Sequence, residues 1–384
     1  MNPALSHIHD ILLGIKNDVK TEIIGQDTLI EKLLITVFSG GHALLEGVPG
    51  LGKTKTIRTL AQVLMMDTKR ISFTPDLLPS DLTGNEIYRV KEGKFEVRKG
   101  PVFTNILLAD EINRTPPKVQ SALLEAMEEK QITIGEKTLD LPLPFIVFAT
   151  QNPLEHEGTY PLPEAQLDRF LMKIVLDYPS RSDEREIFIQ ETGGKIFNRG
   201  HTPNGESEGD KLSESDDKQG NRGAKANEFL SPSEPFVSFQ LGKEMDNFGT
   251  FGNKSTEKKI NKEDILEMID YIAKSIRVDE KIYEYVSDLL GELRKLTRTN
   301  MTSKNNENFP LLSYGPSTRA GLALIRAGRV HALLDGRDYM LPDDVKSLAH
   351  DILDHRIGLS YEAMSEGITT YSVTAKVLEN VKVA

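Results

Sequence analysis

The 384-residue sequence contains no cysteine and no tryptophan. Without thiols it can form neither disulfides nor thiolate metal sites. That usage suits a reducing compartment, and a cytoplasmic location is expected. Long hydrophobic runs are missing too: no stretch approaches the ~18 uninterrupted apolar residues of a membrane span, so no direct membrane insertion is expected. The N-terminal stretch MNPALSHIHDILLGIKNDV has no basic flank before an apolar core and does not read as a signal peptide. Positive charge is in deficit, with 47 Lys and Arg against 58 Asp and Glu and a formal net charge of -11. That balance weighs against a broad nucleic-acid footprint, and no nucleic-acid partner is expected. Neither repeats of fixed period nor His–acid pairs at metal-ligand spacing stand out.

What is present is an apolar content of 38% and a charged content of 27%, typical of a globular chain long enough for two cores. It is organised around GVPGLGKT, residues 47–54, which follows the apolar run HALLE and precedes the helical pattern TIRTLAQVL. Glycines at 47, 50 and 52 permit a tight loop whose N–H groups point at phosphate oxygens. Lys53 can then bridge the outer phosphates and Thr54 can offer a hydroxyl to Mg²⁺, which makes this a P-loop.

Upstream, helical spacing over residues 5–21 leads to IIGQD, where Gly25 turns the chain and Asp27 is expected to cap the next helix. Downstream, KRISF (69–73) reads as the second buried strand. EIYRV and KFEVR, separated by KEG, read as an inserted hairpin at 86–98, a candidate contact for a partner. The run NILLA then suits a strand buried on both faces. Asp110 and Glu111 stand at its C-terminal end, where ligands bind in open α/β sheets. With a P-loop upstream, Asp110 is expected to hold Mg²⁺ and Glu111 to orient and deprotonate the attacking water.

A proline-led helix is expected at 116–131 and a second small hairpin near 131–141. The strand FIVFA follows, ending in Thr150, Gln151 and Asn152, where a polar side chain could hold the lytic water or the terminal phosphate. Arg169 precedes one more strand, either as a surface pair with Asp168 or as a group delivered to a neighbour's phosphate. Residues 194–260 turn rich in Gly, Ser, Asn, Asp and Lys, the texture of a flexible insertion or linker. Four helical patterns follow from Lys262, with caps expected at Asp279, Ser317 and Asp343. Arg319 falls in the first turn of the third, where a positive side chain gains nothing from the helix dipole, which favours a ligand role. His355 beside Arg356 reads as surface or interdomain packing.

Together the segments GVPGLGKT, LLADEINRTPPKVQSALLEAMEE, ATQNP, GTYPLPEAQLDRF and GRDYMLPDDV resemble the MoxR-type AAA+ ATPases. The resemblance implies an α/β P-loop core at 1–193 with a five-stranded parallel sheet in the order 5-1-4-3-2. A small all-helical lid at 261–384 would follow the 194–260 insertion. It implies that Ile24, Gly25 and Gln26 border the adenine. Gly47, Pro49, Gly50, Leu51, Gly52, Lys53, Thr54 and Lys55 would cradle the nucleotide, with Thr54 and Asp110 on Mg²⁺. Glu111 would be the catalytic base, Asn152 the first sensor, Arg169 the finger acting on the adjacent subunit's ATP, and Arg319 the second sensor from the lid. The first hairpin would be the insertion inside the second helix. The family's members form ring hexamers and act as chaperone-like remodellers in maturation or metal insertion of a protein client. They often act with a partner that carries a von Willebrand factor A domain. Two other readings share the core: a motor on nucleic acid, disfavoured by the net charge, and a scaffold in which ATP only controls assembly. Glu111 argues against the scaffold, because a pure switch needs the metal ligand more than the base.

Overall fold

Five short strands build one parallel sheet: β1 (Ala43–Glu46), β2 (Thr68–Ser72), β3 (Ile106–Asp110), β4 (Ile146–Gln151) and β5 (Met172–Val175). Their spatial order is β2-β3-β4-β1-β5, the 5-1-4-3-2 arrangement read in reverse. The expectation of a buried second strand is corrected: β2 is polar, lies at the sheet edge and has no buried residue, since an edge strand has a neighbour on one side only. The protein is described as a computed structural model covering residues 1–48, 50–153, 158–192, 260–298, 300–302 and 308–383. The expected insertion at 194–260 therefore lies outside the described residues except for Ile260, as does Pro49 of the P-loop.

Side chains alternate across a strand, so the inner strands β1, β3 and β4 serve two cores. Ala43, Leu45, Ile106, Leu108, Ile146 and Phe148 face one side, and Leu44, Leu107, Ala109, Val147 and Ala149 the other. The second core is closed by the helix Pro117–Glu129, which contributes Val119, Leu123, Leu124 and Met127. The first core is larger. It takes in helix Pro3–Glu22, capped by the Asn2 side chain on the Ala4 N–H at 2.9 Å, together with helices Asp27–Phe38 and Lys53–Val63. It continues without a break into the C-terminal helices Lys262–Ser275, Glu280–Lys295, Thr318–Leu334, Pro342–Leu353 and Thr370–Asn380. At roughly 1.5–3 kcal/mol for each fully buried large apolar side chain, this shared core ties the lid to the N-terminal helices.

Several local expectations are corrected. Asp27 is the first residue of its helix, not its cap; the cap position is Gln26, and Asp27 pairs with Lys20 at 3.0 Å. Asp279 and Ser317 do cap their helices, but the cap position of the third is Leu341, with Asp343 and Asp344 both in the first turn. The Asp344 carboxylate closes that end by accepting the Leu341 N–H at 2.6 Å. The lid is helical with two short strand pairs added, Asn300–Thr302 with Asn308–Pro310 and Leu312–Tyr314 with Gly358–Leu359. The first hairpin pairs Gly84–Arg89 with Lys94–Lys99 and is preceded by a single helical turn, Pro79–Thr83. The second pairs Gln131–Ile134 with Lys137–Asp140. The two hairpins touch, with the Glu86 carboxylate against Gly135, and the left-handed φ of 60° at Gly135 favours glycine in that turn.

Candidate nucleotide site

The loop after β1 makes the turn that its glycines permit. Gly50 and Gly52 take φ of 89° and 73°, left-handed values that disfavour any Cβ. Helix Lys53–Val63 then begins, with its first N–H groups facing the loop. Lys53 Nζ donates to the Gly47 carbonyl at 2.6 Å. Burial pulls the ammonium's pKa down, partly offset by the carboxylates of Asp110, Glu111 and Glu46 around it. Thr54 is half-buried in the first helical turn. Lys55 points away and pairs with Glu191 at 2.6 Å in an exposed contact.

Parallel register brings the ends of β3 and β4 together, with Ala109 opposite Ala149. Thr150, one residue on, links the two acids: its hydroxyl donates to Asp110 Oδ1 at 2.6 Å and accepts the Glu111 N–H at 3.0 Å. Arg70 on β2 donates from Nη2, and from Nε at 3.2 Å, to Asp110 Oδ2. Burial raises the Asp110 carboxyl, but the Thr150 and Arg70 bonds outweigh it and hold the group below its ordinary value. Glu111 sits at φ 57°, ψ 50°, an uncommon conformation for a side-chain-bearing residue, and pairs with Arg114 at 3.0 Å. Asn152 is buried one residue beyond β4. A hydroxyl and an ionised carboxylate are hard oxygen donors of the kind Mg²⁺ takes, so Thr54 and Asp110 fit that ion.

Gln26 braces the loop. Its amide donates to the Leu51 carbonyl, and its carbonyl accepts the Thr56 hydroxyl at 2.7 Å. Gly25 and Gln26 line a cavity of about 280 Å³ with Leu29 and residues 174–179, at the end of β5 and just beyond it. The Gln26 bond to Leu51 joins this space to the P-loop.

Arg169 and Arg319 are elsewhere. Leu171 N–H donates to the His42 carbonyl at 2.7 Å, so the Arg169 segment lies at the N-terminal ends of β1 and β5. The P-loop leaves the opposite end of β1, about 13 Å away for four residues at roughly 3.3 Å each. Arg169 Nη1 donates to the Leu124 carbonyl at 2.6 Å and pairs with Glu128 at 2.8 Å, not with its neighbour Asp168. Arg319 pairs with the same Glu128. Both arginines line a cavity of about 310 Å³ that also contains Arg326 and Arg356. Arg319 is thus grouped with Arg169 and not with this subunit's own P-loop.

Contacts that the linear sequence did not give complete the arrangement. Gln120, fully buried, donates to the carbonyls of Ile112, Thr115 and Tyr160 and ties the loop after β3 to the loop before β5. Thr150, Arg70 and Glu128 act on partners 40 or more residues away, or on several at once. His331, Asp335 and Asp344 also converge in the lid. Arg337 bonds both acids there, so a cation already fills the cluster.

A phosphate-binding loop at the head of a parallel sheet, paired acids on the strand two places away and a helical lid define a P-loop AAA+ ATPase. Residues 42–172 match the ATPase family associated with various cellular activities (AAA), and residues 308–377 match the AAA lid domain. The chain is 39% identical to Chaperone MoxR1 of Mycobacterium tuberculosis over 364 residues, covering 95% of this chain and 80% of that protein. It is 38% identical to the uncharacterized protein YeaC of Bacillus subtilis, over 100% of this chain and 94% of the relative. Protein MoxR of Methylorubrum extorquens is 27% identical over 92% of this chain and 90% of that one. The crystal structure of a Cytophaga hutchinsonii protein assigned as an ATPase superposes with a TM-score of 0.74 at 38% identity, over 99% of this chain and 97% of that chain. The chain belongs to the MoxR family of AAA+ ATPases. Among its described residues no helix is long and apolar enough to cross a membrane.

Proposed function

We propose that this ATPase hydrolyses ATP at sites shared between adjacent subunits of a ring, in the cytoplasm, and uses the cycle for chaperone-like remodelling of a protein client. The observation that carries this reading is the division of groups between the two ends of the sheet. Lys53, Asp110 and Glu111 surround the P-loop, whereas Arg169 and Arg319 stand together a strand's length away. The sheet holds Arg169 at the end away from its own subunit's P-loop, and Arg319 stands with it on Glu128, which favours delivery of both to an adjacent copy.

In this reading the loop N–H groups and Lys53 bind the phosphates, and Gly25, Gln26 and their cavity take the base. Glu111 takes a proton from the attacking water, and Asn152 holds that water or the terminal phosphate. Mg²⁺ on Thr54 and Asp110 would supply charge against the phosphate oxygens. Arg169 and Arg319 supply the remaining positive charge from the neighbour. A client surface is offered by the first hairpin, where Ile87, Tyr88, Val90 and Phe95 are exposed and the Tyr88 and Phe95 rings lie 5.1 Å apart. The printed name of the Mycobacterium tuberculosis relative, a chaperone, supports the same use. Maturation or metal insertion, a hexameric ring and a partner bearing a von Willebrand factor A domain are the finer expectations that the family resemblance carries.

The test is ATP turnover as a function of protein concentration, with mass followed by light scattering in the same samples. Specific activity should rise as the ring forms. Flat activity from a monomer would return Arg169 and Arg319 to structural roles.

A further inference from the structure

The segment carrying Arg169 is held by the lid. Arg356 lies in the 3-10 turn Asp354–Arg356 that follows helix Pro342–Leu353, and only 4% of it is exposed. Its guanidinium donates from Nε to Asp168 Oδ1 at 2.9 Å, and from Nη2 to the Asp168 carbonyl at 3.2 Å and to the Phe170 carbonyl. From Nη1 it donates to the carbonyls of Leu171 at 3.1 Å and Ile352 at 2.5 Å. Four of these five acceptors lie on residues 168, 170 and 171, on either side of Arg169. Two further lid groups converge on the same acid: Ser317 Oγ donates to Asp168 Oδ2 at 2.9 Å, and Arg319 Nη1 lies 3.7 Å from it.

A buried guanidinium is a costly way to fill space, since an apolar side chain of similar volume stabilises as well or better. What the planar fork adds is geometry, because several donors at fixed angles hold several carbonyls at once. Burial draws the group's pKa down to about 10, with Asp168 opposing the shift, so it stays charged at neutral pH. With the carbonyls of 168, 170 and 171 gripped from the lid, the backbone at 169 has one orientation. The Arg169 side chain then leaves toward Leu124 and Glu128, on the outward-facing cavity.

We infer that Arg356 is a positioning residue for ATP hydrolysis: from the lid of one subunit it sets the aim of Arg169 at the nucleotide of the next. The inference rests on the shared-site reading above, and it makes the lid of each subunit part of its neighbour's active site.

Mixed rings test it. Companion subunits silenced by Glu111→Gln are mixed in tenfold excess with unmodified subunits, and ATP turnover per unmodified subunit is measured. Three companions are compared: Glu111→Gln alone, with Arg169→Ala added, and with Arg356→Lys added. Lysine keeps the charge but cannot span the same carbonyls. Retained mass by light scattering and retained binding of a fluorescent ATP analogue show that the companions fold and assemble. The Arg356→Lys companion should cut turnover to about one tenth of the first value, the fraction of unmodified subunits that still meet an unmodified neighbour, as the Arg169→Ala companion does. If Arg169→Ala cuts turnover and Arg356→Lys does not, the positioning role is wrong while the shared site stands. If neither does, the shared-site reading itself fails. Should Arg356→Lys not fold, Asp168→Asn weakens the same grip from the other side and must give the same loss.

Discussion

Replacing Thr150 with valine exchanges one hydroxyl for a methyl and leaves the rest of the side chain in place. In the protein that hydroxyl makes two contacts, a 2.6 Å donation to Asp110 and acceptance of the Glu111 N–H at 3.0 Å, from a residue only 2% exposed. A hydrogen bond to a charged group contributes about 1.5–3 kcal/mol, and a buried N–H left unpaired costs about 1–3 kcal/mol. Glu111 is only half-buried, so water recovers part of the second loss. The net destabilisation should be about 2–3 kcal/mol, a fall in Tm of about 4–10 °C. The kinetic consequence follows from orientation, since both acids lose the group that fixes them relative to each other. At 1.36 kcal/mol per tenfold, the loss of aim worth one charge-assisted hydrogen bond is about 10- to 100-fold in kcat. KM for ATP should change little, because the P-loop and the Gln26 cavity are untouched. Steady-state turnover and thermal melts of Thr150→Val and Thr150→Ser decide the matter, and serine should restore most of both losses. Unaltered kcat in a folded valine variant, or a serine variant as poor as valine, would refute the bridging role.

Other perturbations follow from the same geometry. Arg70→Ala removes one of the three groups, with Thr150 and Lys53, that hold Asp110 below its ordinary value, so the carboxyl's pKa must rise. If the ionised form is the active one, the acid limb of the pH–rate profile moves to higher pH. Gln26→Ala frees the Leu51 carbonyl and the Thr56 hydroxyl, and should raise KM for ATP by about 5- to 150-fold at two hydrogen bonds' net worth of about 1–3 kcal/mol, read from steady-state kinetics. Asp344 is buried beside Arg337 and His331; burial raises its carboxyl, and those two partners bring it to about 2, below the reference of 3.8. Its stabilising contribution is therefore present above pH 3.8 and lost as pH falls toward 2, and Asp344→Asn should cost about 3 kcal/mol at pH 7 and flatten that acid limb in melts across pH. His331 has the opposite sign: the Asp344 bond raises its pKa above 6.5, so its contribution is complete below pH 6.5 and fades as pH rises through the raised value.

Much of this protein is legible in its linear sequence because the signals are local. A glycine-rich turn between an apolar run and a helix needs only the conformational freedom of glycine and the chemistry of Lys53 and Thr54. The inner strands announce themselves as short apolar runs because both of their faces are buried, as at 106–109. The lid helices carry their own periodicity and two of their caps. Asp110 and Glu111 are readable because a strand's end is also the end of its apolar run.

The tertiary structure decided what depends on distance along the chain. Strand register across 40 residues puts Thr150 between the two acids and Arg70 on one of them, and no local pattern encodes register. The place of Arg319 in its helix favours a ligand role, and the family resemblance implies a sensor from the lid. Its grouping with Arg169 around Glu128 follows from how the lid docks, through a core that the N-terminal helices share with residues 260–377. Arg356 read as packing, and it does pack, but against the carbonyls that flank Arg169. A side chain's composition and spacing state what it can bond; which of its possible partners it meets is settled only when burial of the apolar faces brings distant segments together.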